Sequence, residues 1–464
     1  QGGRSEETGV RSEETGVRSE ETGDRQGARS EETEDRPEKT NDNEKTIVRL
    51  SGEREKPQAR GVRIRPPGAA KRTRDAGSAR PRTRLPAPER LRPKNEPKMK
   101  NILDKCRRRE ALTREEAYRL YDEAPLPLLA RTADEVRRSV VPDPGVVTWQ
   151  IDRNVNITNV CISGCRFCNF HCKPHQEERA YITTLGEYRT KIARTLELGG
   201  DQLLLQGGLH PKLDIGFYEQ LFRDLKAICP TLKLHALGAP EVAHIARISG
   251  LSTCDTLRRL MAAGLDSLPG AGAEILDPEV RRALSPAKPS VEEWLRVMHE
   301  AHMLNLPTSA TMMYGHIETP HQRVDHLLRI RDLQAQCPPG HHGFIAFIPW
   351  IFRSTGTELE RQGVVTRFSP LEYVRLIAVS RLVLHNIDNI QASWLTVGKQ
   401  TAQVALHSGA NDMGSIMIEE NVVSSAGAHN RFDAAGIQQA IREAGFTPRL
   451  RDQCYEMREW NGAV

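Results

Sequence analysis

The stretch CISGCRFCNFHC, from Cys161 to Cys172, gathers four of the nine cysteines of the chain into twelve residues. Thiolates are soft ligands, so such a density points to zinc or to an iron–sulfur cluster. A structural zinc site commonly joins a C-x2-C pair to a second ligand pair farther along the chain. Here the spacing is C-x3-C-x2-C-x3-C in one loop, with no second hairpin behind it. A disulfide framework of the secreted kind has a different pattern. A cluster held by three thiolates keeps one iron open to a ligand, whereas a fully coordinated one only carries electrons.

Other residues with chemical potential recur where an apolar run ends. DQLLLQGG ends in Gly207 and Gly208, with His210 close behind, and LKLHAL carries His235. LDSLPGAGAEIL brings Asp266 and, after its glycines, Glu274. SATMMYGHIE brings Tyr314, Gly315, His316 and Glu318. GFIAFIPW leads to Trp350 and Arg353, NIQASW contains Trp394, and GANDMG holds Asn411 beside Asp412. The histidines are apt proton acceptors or substrate donors because imidazole titrates near neutrality. Asp266 and Asn411 suit sugar hydroxyls and equally suit turns. Arg353 suits a carboxylate and equally a solvated loop. Each histidine alone also fits a satisfied structural role. His341 and His342, in a PPGHH turn beside Cys337, read better as a polar loop than as a metal pair.

The elements that must carry these residues alternate. VTWQIDRNVNITN is extended and runs into the cysteine loop; LGEYRTKIARTLELGG is helical and closed by glycines. Short apolar strands and helices then follow in turn to VGKQTAQVALHSG, in about six to eight units. The pattern predicts an α/β fold: a full or partial (β/α) TIM-type barrel over residues 147–464 with a C-terminal extension, an open doubly wound sheet being the alternative. A barrel puts its active face at the strand C-termini, where the polar and glycine-rich positions above fall. Residues 99–146 read as a helical segment, TREEAYRLYDEA opening on a Thr-x-x-Glu cap.

Cys161, Cys165 and Cys168 at C-x3-C-x2-C after a first strand resemble the radical S-adenosylmethionine (SAM) enzymes. The resemblance implies that these three hold a 4Fe-4S cluster whose open iron binds SAM, with Phe167 beside the adenine. It implies that Gly207 and Gly208 receive the SAM amino group, that Gly315 and Glu318 form a G-x-x-E turn near the adenine, and that Glu274 bridges sugar hydroxyls. QGGLHP, LDSLPGAGAEIL, SATMMYGHIETPHQRVDHLLRIRDLQ, GFIAFIPW, IQASWLTVG and GANDMGSIMIEENVVSSAG are similar to the enzymes of the futalosine branch of menaquinone biosynthesis. Within it, HALGAPEV, SATMMYGH, FIPW and IQASW look more like the cyclase type than aminodeoxyfutalosine synthase or the FO synthases. That type implies hydrogen abstraction from ribose C4′ of dehypoxanthine futalosine and ring closure onto its benzoate. His210, His235, Tyr314 and His316 are then candidate catalytic residues, and Asp266, Arg353 and Asn411 candidate substrate ligands. An electron donor such as flavodoxin or ferredoxin is implied. Cys172 falls outside the three-cysteine pattern and is expected to be a bystander.

Residues 1–98 differ sharply from the rest of the 464-residue chain. They contain no aromatic residue, Met, Cys or His, and RSEETGV-like units recur at 4, 11, 18 and 29. They hold 24 Lys+Arg and 19 Asp+Glu of totals of 66 and 61, which leaves 42 of each beyond them. The net charge of +5 thus belongs to this segment. So little apolar surface predicts disorder, and the absence of methionine before Met99 suggests a segment foreign to the native protein. A basic arm within a zinc-binding nucleic-acid module is the contrasting reading, disfavoured by the missing ligand pair. No apolar run reaches the ~18 residues that span a bilayer, and no signal peptide is visible. A reducing cytoplasm, a small-molecule substrate, and no nucleic-acid or membrane partner are the expectations.

Overall fold

The computed structural model describes residues 96–421, 423–460 and 462. The expected disorder of the first 98 residues falls almost wholly outside them.

Three helices come first: α1 (Glu96–Arg107), α2 (Arg114–Glu123) and α3 (Leu126–Val140). The expected cap is present: Glu116 N–H donates to the Thr113 hydroxyl, and the Glu116 carboxylate accepts from Thr113 N–H. This reciprocal pair satisfies two donors that the first turn otherwise leaves unpaired. The helices pack on the barrel's outer layer, α2 on the helix Pro320–Gln334 and α3 on the helix Pro370–Val383. The latter is buried on almost every side, which accounts for its nearly continuous apolar sequence.

The sheet is a closed parallel barrel whose first stave is bent. β1 (Val146–Gln150) and β2 (Asp152–Asn156) are separated only by Ile151. β2 pairs with β3 (Gln202–Gln206), and β3 with β4 (Lys233–Ala236). His235 bridges to Ser267, and Leu268 to Thr308 at the start of β5 (Thr308–Tyr314). β5 pairs with β6 (Phe344–Ile351). Phe347 bridges to Ile390, Gln391 to Asp412, and β7 (Asp412–Ser415) returns to β1. Every pairing in this ring is parallel, so the full barrel holds and the open sheet does not. LDSLPG and NIQASW, read as strands, contribute single bridges. A last strand, β8 (Thr447–Leu450), lies along β1 beneath the start of β3.

Along the first stave the period of two is plain. Trp149, Ile151, Val155 and Ile157 belong to the apolar core, while Gln150, Asp152, Asn154 and Asn156 line the barrel's interior cavity. A polar inward row is the reverse of a filled barrel core and leaves room for a ligand. No helix among the described residues is long and apolar enough to cross a membrane.

Candidate active site

A cavity of about 380 Å³ occupies the barrel from the cysteine loop to residues 451–455. Cys161, Cys165, Phe167 and Cys168 line it, and so do Gly207, Gly208, His235, Glu274, Trp350 and Trp394. These sequence-predicted residues, up to 233 positions apart, are brought to one space.

The cysteine loop is held by its own backbone. Cys161 N–H donates to Cys172 O at 2.8 Å, and Cys172 N–H to Asn159 O at 2.7 Å. The Cys172 side chain is fully buried, its thiol directed to Gln176 O at 3.2 Å, and it does not line the cavity. The backbone of residue 172 closes the loop. Cys161 Sγ accepts from Leu209 N–H at 3.3 Å and Ser163 N–H at 3.4 Å, and the Ser163 hydroxyl lies 2.9 Å from Cys161 Sγ and 3.3 Å from Cys165 Sγ. These contacts fix where the two sulfurs point.

The glycine pair packs directly beneath. A Cβ on Gly208 would stand 2.1 Å from Val160 O and 2.7 Å from Cys161 Cβ, so only glycine fits. Gly208 N–H donates to Thr158 O at 2.8 Å, tying the two loops. Gly207 N–H is met by the carboxylate of Glu241, whose pKa burial pushes up, with Lys288 working against the rise.

A charge cluster adjoins the thiols. Glu274 is buried with φ +42°, 2.8 Å from Lys288 Nζ and 3.5 Å from Arg281 Nη1. Burial opposes the charge on Lys288, yet Cys165, Glu274 and Glu241 together raise its pKa. Lys288 Nζ also sits 5.4 Å from the centre of the Phe167 ring. Burial raises the Cys165 thiol, and Lys288 offsets this. Lys288 and Glu241 were missed as site residues by the sequence reading: Glu241 lies within HALGAPEV but was not singled out there, and Lys288 belongs to none of the quoted motifs.

Several expected site residues lie elsewhere. Glu318 accepts from Gly315 N–H at 2.6 Å and His316 N–H at 2.9 Å and pairs with Arg323 at 2.7 Å. Despite burial, the His316 ring 2.8 Å away, then Arg323 and Gly315 N–H, hold its pKa down to about 2. The G-x-x-E turn thus satisfies itself and faces the helical layer through Arg323, Glu372 and Tyr121. Tyr314 is buried with Arg323 over its ring. His316 turns back on Met313 O and Glu318. His210 accepts from Lys212 N–H, and its carbonyl pairs with the His244 ring. Asp266 holds Lys226, Lys233 and Leu234 N–H at the opposite end of the barrel from the cysteines. Asn411 fixes Ile390 N–H and Arg381 at that same end. Arg353 donates to Thr396 O. None of these eight residues, Gly315 included, lines the cavity. His341 bonds to His302 O and His342 N–H to Asn305, a polar loop as expected. His235 does line the cavity, but burial pushes it down to about 3, and Ser267 Oγ sits 2.7 Å from its Nδ1. It is therefore a neutral hydrogen-bonding group rather than a base at neutral pH.

Residues 155–330 match the radical SAM superfamily and residues 341–464 the CofH/MqnC C-terminal region. The chain is 44% identical over 356 residues to cyclic dehypoxanthine futalosine synthase of Streptomyces coelicolor, covering 76% of this chain and 88% of that one. The chain belongs to the radical SAM superfamily. The radical SAM enzyme is also 38% identical to cyclic dehypoxanthine futalosine synthase of Halalkalibacterium halodurans, over 77% of this chain and 94% of that one. It is 38% identical to 5-amino-6-(D-ribitylamino)uracil–L-tyrosine 4-hydroxyphenyl transferase of Archaeoglobus fulgidus, over 70% of this chain and 92% of that one. Its fold matches the FeFe-hydrogenase maturase HydG from Carboxydothermus hydrogenoformans with a TM-score of 0.60 at 15% identity, over 78% of this chain and 81% of that one.

Radical SAM enzymes use a 4Fe-4S cluster and SAM, and the donor set here fits them. Three thiols line one cavity and a fourth is turned away. Among the described residues no three His, Cys, Asp or Glu converge on a single ion, whereas a cubane needs thiols set several ångströms apart. Cys161, Cys165 and Cys168 would be its ligands. Gly207 and Gly208 line the cavity beside these thiols, with Gly208 packed on Val160 and Cys161.

Proposed function

We propose that this radical SAM enzyme converts dehypoxanthine futalosine to cyclic dehypoxanthine futalosine. The observation that carries the reading is the 44% identity to a cyclic dehypoxanthine futalosine synthase across 88% of its length. An interior that is polar along β1 and β2 and aromatic at Trp350 and Trp394 supports it, because the substrate joins a sugar to an aryl ring. When bound, the cluster and SAM supply a 5′-deoxyadenosyl radical able to take hydrogen from ribose C4′.

The chain's own residues must then orient the substrate, exclude water and accept the one proton that leaves, together with one electron that the oxidised cluster would take up when bound, as the aryl ring regains aromaticity. The parallel barrel and its C-terminal residues enclose the space. Proton acceptance falls to the carboxylates in the cavity wall. Burial raises Asp152 and Glu241 alike, which makes them stronger bases than ordinary carboxylates. His235, depressed to about 3, is a poor acceptor. The implied electron donor is a small reducing protein of the flavodoxin or ferredoxin type.

The test is turnover of anaerobically reconstituted enzyme with dithionite, SAM and dehypoxanthine futalosine. Cyclic product and 5′-deoxyadenosine are expected. The transferase relatives provide the contrast: if tyrosine and 5-amino-6-(D-ribitylamino)uracil are consumed instead, the cyclase reading is wrong.

A further inference from the structure

The cavity's lower end is built by chain that no functional motif covers. Beyond β8, residues 451–455 turn inward below β3. Arg451 is buried and makes paired bonds to the Asp412 carboxylate at 2.7 and 3.0 Å. Its Nη1 donates to Gln150 Oε1 at 2.9 Å. A guanidinium only donates, so this bond fixes the Gln150 amide with its oxygen toward Arg451 and its nitrogen turned away. Gln150 Nε2 is left buried without a partner. Two more cavity-wall atoms share that condition, Asn154 Oδ1 and Tyr455 Oη. Gln150 is 3% exposed and Asn154 2%. Tyr455 holds a positive φ of 67°, a conformation costly for an aromatic residue, while its ring lies 3.9 Å from the Arg451 guanidinium.

Buried polar atoms are nearly always paired, and an unpaired one costs about 1–3 kcal/mol. Three in one wall form a donor, an acceptor and a hydroxyl that is either. The charge around them is balanced, because the Arg451 cation is taken up by Asp412. A carboxylate ligand would find no free cation here and would face Asp152. A hydroxyl, which donates and accepts at once, matches the set.

We propose that Gln150, Asn154 and Tyr455 form a neutral floor subsite that binds the hydroxyls of a sugar or polyol, with the C-terminal segment acting in substrate specificity. In the cyclase reading, on which the choice of ligand rests, this places the ribose of dehypoxanthine futalosine toward the floor. Its aryl end then lies nearer Trp350 and Trp394.

The test is equilibrium binding to the cluster-loaded enzyme with SAM. The probes are dehypoxanthine futalosine, its analogue lacking one ribose hydroxyl, and 5-amino-6-(D-ribitylamino)uracil. Tyr455→Phe keeps the ring over Arg451, and Asn154→Ala provides an independent second variant. Each is expected to weaken binding of a hydroxyl-bearing probe by about 5–30-fold, and one of them to bind the deoxy analogue as the parent enzyme does. Iron content and unfolding temperature should stay at parent values for Tyr455→Phe. If the futalosine compound fails to bind but the ribitylaminouracil binds and both variants weaken it, the cyclase reading falls and the floor subsite stands. Parent-like affinity of both folded variants for every probe the parent binds, or binding of no hydroxylated probe by the parent, overturns the subsite.

Discussion

Gly208→Ala tests the link between the second strand loop and the cluster loop. The added Cβ meets Val160 O at 2.1 Å, Val160 C at 2.6 Å and Cys161 Cβ at 2.7 Å. Reaching even 3.0 Å requires the loops to part by about 0.9 Å, and two of these atoms are backbone. Such a shift stretches the Gly208 N–H to Thr158 O bond and the Leu209 N–H to Cys161 Sγ bond. Overpacking of this kind costs about 3 kcal/mol. With about 2.1 cal/mol/K per residue over the roughly 365 described residues, that lowers the unfolding midpoint by about 4 °C. Because Cys161 moves with Val160, iron and sulfide per chain after anaerobic reconstitution should fall below about half of the parent value. Gly207→Ala is the control: its nearest contacts, at 3.2 Å to Thr158 N and O, ask for a few tenths of an ångström. Iron content there should stay close to parent. A Gly208→Ala enzyme with full iron and an unchanged midpoint would refute the reasoning.

Three further outcomes are expected. Serine at Cys161, Cys165 or Cys168 should abolish iron binding, whereas Cys172→Ala should retain iron and activity while costing about 1 kcal/mol for the lost sulfur, read by denaturant unfolding. Lys288→Met leaves Glu274 and its neighbours with uncompensated buried charge, so stability should drop by about 3 kcal/mol; adding Glu274→Gln should restore part of it. Glu318, held near 2 when folded against an ordinary value of 4.5, contributes stability that is complete above about pH 5 and lost as pH falls through 2. The parent should lose about 3 kcal/mol more than Glu318→Gln across that window, measured by urea unfolding at each pH.

The cysteine spacing and the alternation of strands and helices made the barrel and its three cavity-lining cysteines legible, because both are local signals. The strand-end rule then sorted residues by height along the barrel but not by the side they face. Gly315, His316 and Glu318 follow β5 at the correct end, yet their turn closes on itself and on Arg323. Asp266 and Asn411 precede their staves and so belong to the other end. The alternation Gln150, Asp152, Asn154, Asn156 was a readable sign of a polar interior, since the same strand places Trp149, Ile151 and Val155 outward. Lys288 and Tyr455 arrive through tertiary contacts and irregular chain, for which no periodic pattern exists.

The bent first stave has a consequence in time. Its lower half waits for β8 and for Arg451, which follow Cys168 by about 280 residues. At synthesis rates of about 5–20 residues per second, the thiols leave the ribosome some 15–60 s before the floor does. During that interval the cysteines are outside the ribosome while the arginine that braces the floor is not yet made. The floor is thus the last part of the cavity wall to be synthesised, and the barrel cannot close beneath the cysteines until almost the whole chain has emerged.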